Sequence, residues 1–307
     1  MCQVGETVRL ESAGLILTAD AACGGKLRSL VSKTSGREFF YQDRRPAFAP
    51  ETGYSYHDVS GWDECFPSVA ACRGNLPNGA VYDYPDHGAL WQRQWTAREE
   101  NGVLTMTCEV EEYGCSFTRR CSFAQENTLL LEYRIENRGD RDIPYVYSAH
   151  PLLAVDDSCR VVMPKEMSRA YNYISAENSA LPNGSWFDLS SDAAKRITGP
   201  YSPARHTFIK CFSDKLQSPR AVVEYPQSGE RLIFAQDTAA LPHLGFLAQE
   251  GYDSLGDGYF AGECLLAFEP TTGVGDDIAT CVQTGTLSVL SAGSSLCFEI
   301  TISVERM

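Results

Sequence analysis

An all-β chain, a large antiparallel β-sandwich or barrel, is the fold class that three features of this sequence predict. Apolar and polar residues alternate with a period of two in many short segments, Gly, Pro, Asn and Ser clusters separate those segments, and no amphipathic helix exceeds two or three turns. No composition shift or linker divides the chain, and all-β domains often run past about 200 residues as one unit. A single domain over residues 1–307 is therefore expected.

The elements follow in order. Residues 8–41 contain VRLES, GLILTADA and LRSLVSKTSGREFFYQ, three strands broken at Cys23–Gly25 and Thr34–Gly36. Gly61 to Trp91 is punctuated by Gly61, Pro67, Gly74, Pro77, Gly79, Pro85 and Gly88, which predicts a loop excursion with at most one short strand. The extended pattern resumes over Trp91 to Ala97. Leu104, Met106, Cys108 and Val110 then share one strand face, Tyr113 to Phe123 returns antiparallel, and Leu129, Leu131, Tyr133 and Ile135 alternate with more polar neighbours. An apolar run over Ile143 to Ala149 ends at His150 and Pro151, which places His150 where a buried strand stops. Residues 164–206 are irregular and read as an insertion or long loop. AVVEYPQSGERLIFAQ is a hairpin turning at Ser228 and Gly229, and LPHLGFL, LLAFEP and LSVLSAGSSLCFEITISVE complete the strands.

Composition narrows the partners. A formal charge of -14 argues against nucleic acid and anionic membranes, and weakly against a phosphorylated substrate. Twelve cysteines are scattered without a CxxC pair or the spacing with histidine that a zinc site shows, so reduced thiols and no metal are expected. The opening MCQVGETVRLES lacks the basic-then-apolar run of a signal peptide, and a cytoplasmic monomer or homodimer is the expectation. No apolar run approaches the roughly 20 residues of a membrane-spanning helix.

Loops on a rigid β scaffold are where function concentrates, which directs attention to GWDECFPSVAACRGNLPNGAVYDYPDHGALW. Trp62 and Trp91 have the flat apolar faces on which a sugar ring stacks. Asp63, Glu64 and Asp86 offer acceptors for hydroxyl groups, and His87 offers an imidazole that can exchange a proton. A surface loop pinned by two buried tryptophans is the competing reading. His206 and His243 read as structural.

Three stretches together resemble the aldose 1-epimerase (galactose mutarotase-like) family: GWDECFPS with DHGALW, then LLLEYRIENRGDRDIPYVYSAHP, then LLAFEPTTG. Their order and spacing, 63 residues from His87 to His150 and 119 from His150 to Glu269, are in keeping with that family, and GGKLRSLVSKTSGREFFYQ resembles its opening strands. The resemblance implies a supersandwich and a cofactor-free interconversion of the α and β anomers of a free sugar, the small-molecule partner. It implies Glu269 as base, His150 as acid and His87 as a group holding the sugar or its ring oxygen. A carboxyl raised by burial and an unperturbed imidazole both suit proton transfer near neutral pH.

The chain also departs from the family pattern. Asp63 or Glu64 stands near the place of the family's Arg, and Arg205, in ARHTFIKCF, near the place of its sugar-binding Asp. The sugar is thus not assigned by resemblance. A hexose-6-phosphate 1-epimerase would need cations at the cleft, for which Arg37, Arg73 and Arg93 are candidates. A carbohydrate-binding or sensor protein would need no acid and base pair, and a glycosidase would need a carboxylate partner for Glu269.

Overall fold

The computed structural model describes residues 7–45, 51, 53–56, 58–76, 79–192, 194–253 and 256–307, so His57 lies outside the described residues. Among them, two large antiparallel sheets carry the fold. The ten-stranded sheet runs in space through Val8–Glu11, Leu15–Asp20, Lys26–Ser32, Trp62–Cys65, Ser148–Ala154, Cys264–Thr271, His243–Glu250, Thr207–Ser213, Arg169–Ser175 and Ser185–Asp188. The eight-stranded sheet runs through Arg160–Val162, Ala221–Tyr225, Glu230–Gln236, Ser295–Arg306, Thr128–Asn137, Cys115–Gln125, Val103–Val110 and Thr96–Glu100. One short helix, Ile278–Thr284, is capped by Asp277, whose side chain accepts from Thr280 N.

Alternation decides which side chains meet between the sheets. Leu129, Leu131, Tyr133 and Ile135 are buried while Arg134 is exposed, as the sequence period requires. From the facing sheet, Trp62 stacks on Phe234 with ring centroids 6.2 Å apart, and Phe234 meets Phe268 edge-on at 5.5 Å. A smaller apolar cluster, including Tyr41, Tyr54, Trp91, Leu152 and Phe260, covers part of the ten-stranded sheet's outer face.

Three sequence expectations change. The Gly61–Trp91 stretch holds three strands, Trp62–Cys65, Cys72–Asn75 and Val81–Tyr84, and the first lies in the middle of the large sheet. Residues 164–206 include the paired strands Arg169–Ser175 and Ser185–Asp188. The extended run after Trp91 begins only at Thr96, because residues 91–93 form a turn. Prolines and glycines punctuate these short strands so closely that their pairing comes from distant partners, which local pattern does not reveal.

Candidate active site

His150 is not at a strand end. It is the third residue of Ser148–Ala154, which lies between Trp62–Cys65 and Cys264–Thr271. On one side His150 is in register with Asp63. On the other the pairing holds at Ser148 with Thr271 and resumes at Leu152 with Ala267. Pro151 has no N–H to donate, so the ladder is open where His150 stands. Across this gap, His150 Nε2 faces Glu269 Oε1 at 4.0 Å.

Glu269 is fully buried. Its Oε2 takes Lys210 Nζ at 2.8 Å and Ser148 Oγ at 3.3 Å, while Oε1 has no hydrogen-bond partner among the described residues. Lys210 also approaches Asp276 Oδ1 at 2.9 Å. Desolvation raises the Glu269 carboxyl above the usual range, opposed by the Lys210 ammonium and reinforced by Asp276. Burial alone would depress Lys210, but Asp276 and Glu269 overcome it and hold the ammonium charged. Gly245 is in register with Glu269, and a Cβ there would sit 3.0 Å from Glu269 Cβ and 3.2 Å from Phe212 Cε1. The missing side chain leaves room for the carboxylate.

The other ring nitrogen of His150 is held by a buried chain. Tyr54 Oη lies 3.1 Å from His150 Nδ1 and donates to Asp63 Oδ2 at 3.1 Å, and Asp63 Oδ2 also accepts from Lys26 Nζ at 2.5 Å. A tyrosine hydroxyl has one hydrogen, and the lysine-paired carboxylate takes it. His150 Nδ1–H must then donate to Tyr54 Oη, which leaves Nε2 without a proton in the neutral ring. Desolvation, and then the charges of His87, Lys210 and Lys26, push His150 well below its ordinary value.

His87 joins the site from the turn at residues 85–88. It adopts φ 54°, uncommon for a side chain other than glycine, and its N–H donates to Val69 O at 2.5 Å. Gly88 at φ 70° permits that turn, since a Cβ there would lie 2.3 Å from Phe66 O. The His87 ring stacks on Tyr54 at 3.6 Å and meets His150 edge-on at 5.2 Å. Trp91 supports Tyr54 edge-on at 5.2 Å and donates Nε1–H to Asp86 O at 3.0 Å.

Of these groups Tyr54, His87 and His150 open into a cleft of about 140 Å³, lined also by Ser55 and Gln249 and by apolar walls that include Leu152 and Phe208. That is below the roughly 300–1,000 Å³ of sites for drug-sized ligands, and fits something as small as one sugar ring. No lysine or arginine stands among the described residues lining it.

The structure thus brings His87, His150, Glu269 and Asp63 together, with Trp91 behind Tyr54, and separates the remaining candidates. Trp62 and Glu64 alternate with Asp63 and point into the inter-sheet core. Trp62 packs on Phe234 and Phe40, and Glu64 pairs with Arg119 at 2.8 Å. Neither reaches the cleft. Arg37 lies over Tyr225 at 3.9 Å and near Asp156 at 3.5 Å, while Arg73 pairs with Asp83 and Arg93 with Glu112. Arg205 pairs with Glu250. His206 and His243 approach backbone carbonyls at 3.1 and 3.2 Å. Lys26, Tyr54, Lys210 and Gln249 were not singled out by sequence, although a lone Lys within TFIKCFS and another within GGKLRSL were signals of buried charge awaiting a partner.

No family model matches this chain, and no curated protein matches it significantly. Solved structures do. A Synechocystis sp. PCC 6803 protein superposes with TM-score 0.75 at 17% identity, covering 99% of this chain and 97% of its own. A candidate aldose 1-epimerase from Escherichia coli K12 gives 0.74 at 17%, covering 98% and 99%. A galactose mutarotase-like protein from Clostridium acetobutylicum gives 0.71 at 14%, covering 98% and 95%. The chain therefore has the galactose mutarotase-like β-sandwich fold.

Proposed function

We propose that this protein is an aldose 1-epimerase acting on a free, unphosphorylated sugar, with Glu269 and His150 as its acid–base pair. The observation that carries this reading is Glu269 Oε1, without a hydrogen-bond partner among the described residues, 4.0 Å from Nε2 of His150, which itself lines a sugar-sized cleft. A buried carboxylate oxygen without a partner costs stability and calls for a partner in function.

In the proposed cycle, Glu269 Oε1 takes the proton of the C1 hydroxyl while protonated His150 delivers Nε2–H to the ring oxygen. The C1–O5 bond breaks to the open aldehyde. Rotation about C1–C2 presents the other carbonyl face, and closure returns each proton to its donor. The imidazolium keeps Nδ1–H on Tyr54 throughout, so the Asp63–Tyr54 chain steadies its charge. A histidine whose pKa is depressed is a strong acid once loaded. Lys210, held by Asp276, orients the Glu269 carboxylate so that Oε1 faces the substrate. His87 holds the sugar beside the ring oxygen. The absence of cations from the described cleft lining favours a neutral sugar over a sugar phosphate.

Polarimetry on freshly dissolved α-aldoses tests the reading. The wild type should accelerate mutarotation above the spontaneous rate, and His150→Asn should lower that excess by ~10²–10⁴-fold, the usual share of a general acid. No excess on any free or phosphorylated aldose would remove the epimerase reading.

A further inference from the structure

Gln249 lines the cleft and carries a second acceptor without a hydrogen-bond partner among the described residues. Its side chain is 5% exposed, and Nε2 donates to the Tyr252 carbonyl. A carbonyl only accepts, so this bond fixes the amide and leaves Oε1 as the group presented. Oε1 is buried and has no hydrogen-bond partner among the described residues. Gln249 is four residues from Gly245, the register partner of Glu269, or about 13 Å of strand at ~3.3 Å per residue. It therefore meets the end of a ligand remote from the reacting carbon.

The residues in register with that acceptor are apolar, and Ser55 is the remaining polar residue of the described lining beside Tyr54, His87 and His150. Gln249 is in register with Leu265 on one side and Phe208 on the other, while Leu152, Leu247 and Phe260 line the adjoining space. One acceptor among such walls serves one hydroxyl. A second hydroxyl there is buried without a partner, at roughly 1–3 kcal/mol, or about 5–150-fold in affinity. A phosphate fares worse, with no cation among the described lining residues to replace its water.

We propose that the cleft selects an uncharged pyranose without a 6-hydroxyl, a pentose or a 6-deoxyhexose, and that Gln249 Oε1 accepts from a hydroxyl remote from C1. This rests on the epimerase reading for the placement of C1, but its test does not need turnover. Dissociation constants of xylose, 6-deoxyglucose, glucose and glucose 6-phosphate are measured by NMR titration of the wild-type protein. Xylose or 6-deoxyglucose should bind at least about fivefold tighter than glucose, with glucose 6-phosphate weakest; whichever of the two binds more tightly identifies the pentose or the deoxyhexose. Gln249→Met, its fold checked by circular dichroism, should weaken the preferred sugar about tenfold, the worth of one buried hydrogen bond. Glucose or glucose 6-phosphate binding as tightly as both of the others overturns the proposal, and so does unchanged binding by folded Gln249→Met. Should that variant not fold, the wild-type ranking decides alone. The expected ranking without excess mutarotation on any sugar would sustain this inference and remove the epimerase.

Discussion

Glu64 and Glu269 are both fully buried in the ten-stranded sheet, each beside a cation, and they differ in what is left over. Glu64, on the inner face, accepts from Arg119 at 2.8 Å and Tyr133 at 3.0 Å on Oε1 and from Tyr147 at 2.7 Å on Oε2. Glu269, on the outer face, has Lys210 and Ser148 on Oε2 and, among the described residues, nothing on Oε1. Desolvation raises both carboxyls, so burial and pKa direction do not tell them apart. Partnering of the carboxylate does: both oxygens of Glu64 are satisfied within the core, while Glu269 keeps one free of partners among the described residues, facing His150.

Breaking the Glu64–Arg119 pair should produce the largest change in stability. Arg119→Met leaves Glu64 buried without its cation and should cost about 3–5 kcal/mol, read by denaturant unfolding, while the KM of the remaining folded protein stays unchanged. A loss of under ~1 kcal/mol would mean that Glu64 is not ionised in the core.

The outer pair should show itself in pH dependence. Burial moves Glu269 up from its ordinary 4.5 and His150 down from 6.5. The Glu269 base is lost as pH falls through a raised value, and the His150 acid is lost as pH rises through a lowered one. The excess kcat/KM should thus trace a bell narrower than unperturbed groups would give, when scanned from about pH 4 to 8, with apparent values belonging to the pair. A plateau reaching from about 4.5 to 6.5 or wider would contradict this.

A smaller effect is expected where Tyr54 joins Asp63 to His150. Tyr54→Phe removes one hydroxyl and should lower kcat/KM about tenfold, near the worth of one buried hydrogen bond, with a shifted pH profile. An unchanged profile would show that the chain does not hold the imidazole. Least of all, Arg37→Ala should cost at most ~1 kcal/mol from its place over Tyr225 and leave the excess rate within about twofold. A large loss of rate would return Arg37 to the substrate.

The strands were legible wherever one face is wet, as in Leu129 to Ile135 and the Ala221–Gln236 hairpin, because period two records burial directly. The resemblance pointed to His150 and Glu269, which the sheet brings to 4.0 Å. Trp62 and Glu64 were misassigned because GWDECFPS read as loop; once Trp62–Cys65 is a strand, alternation gives Asp63 to the outer face, beneath Tyr54, and its neighbours to the core. Pro151 was read as the end of a strand when it marks a gap within one. Tyr54 and Gln249 carried no local signal, since their partners are brought close only by the sheet, and Lys210 carried only that of a lone charge within an apolar strand.

The most direct measurement is the excess mutarotation rate of Glu269→Gln beside Glu64→Gln, each with its unfolding midpoint. Glu269→Gln should lose about 10²–10⁴ of the excess rate and keep its fold, while Glu64→Gln should lose stability and keep its rate once folded. A Glu269→Gln protein that mutarotates sugar as fast as the wild type would contradict the account.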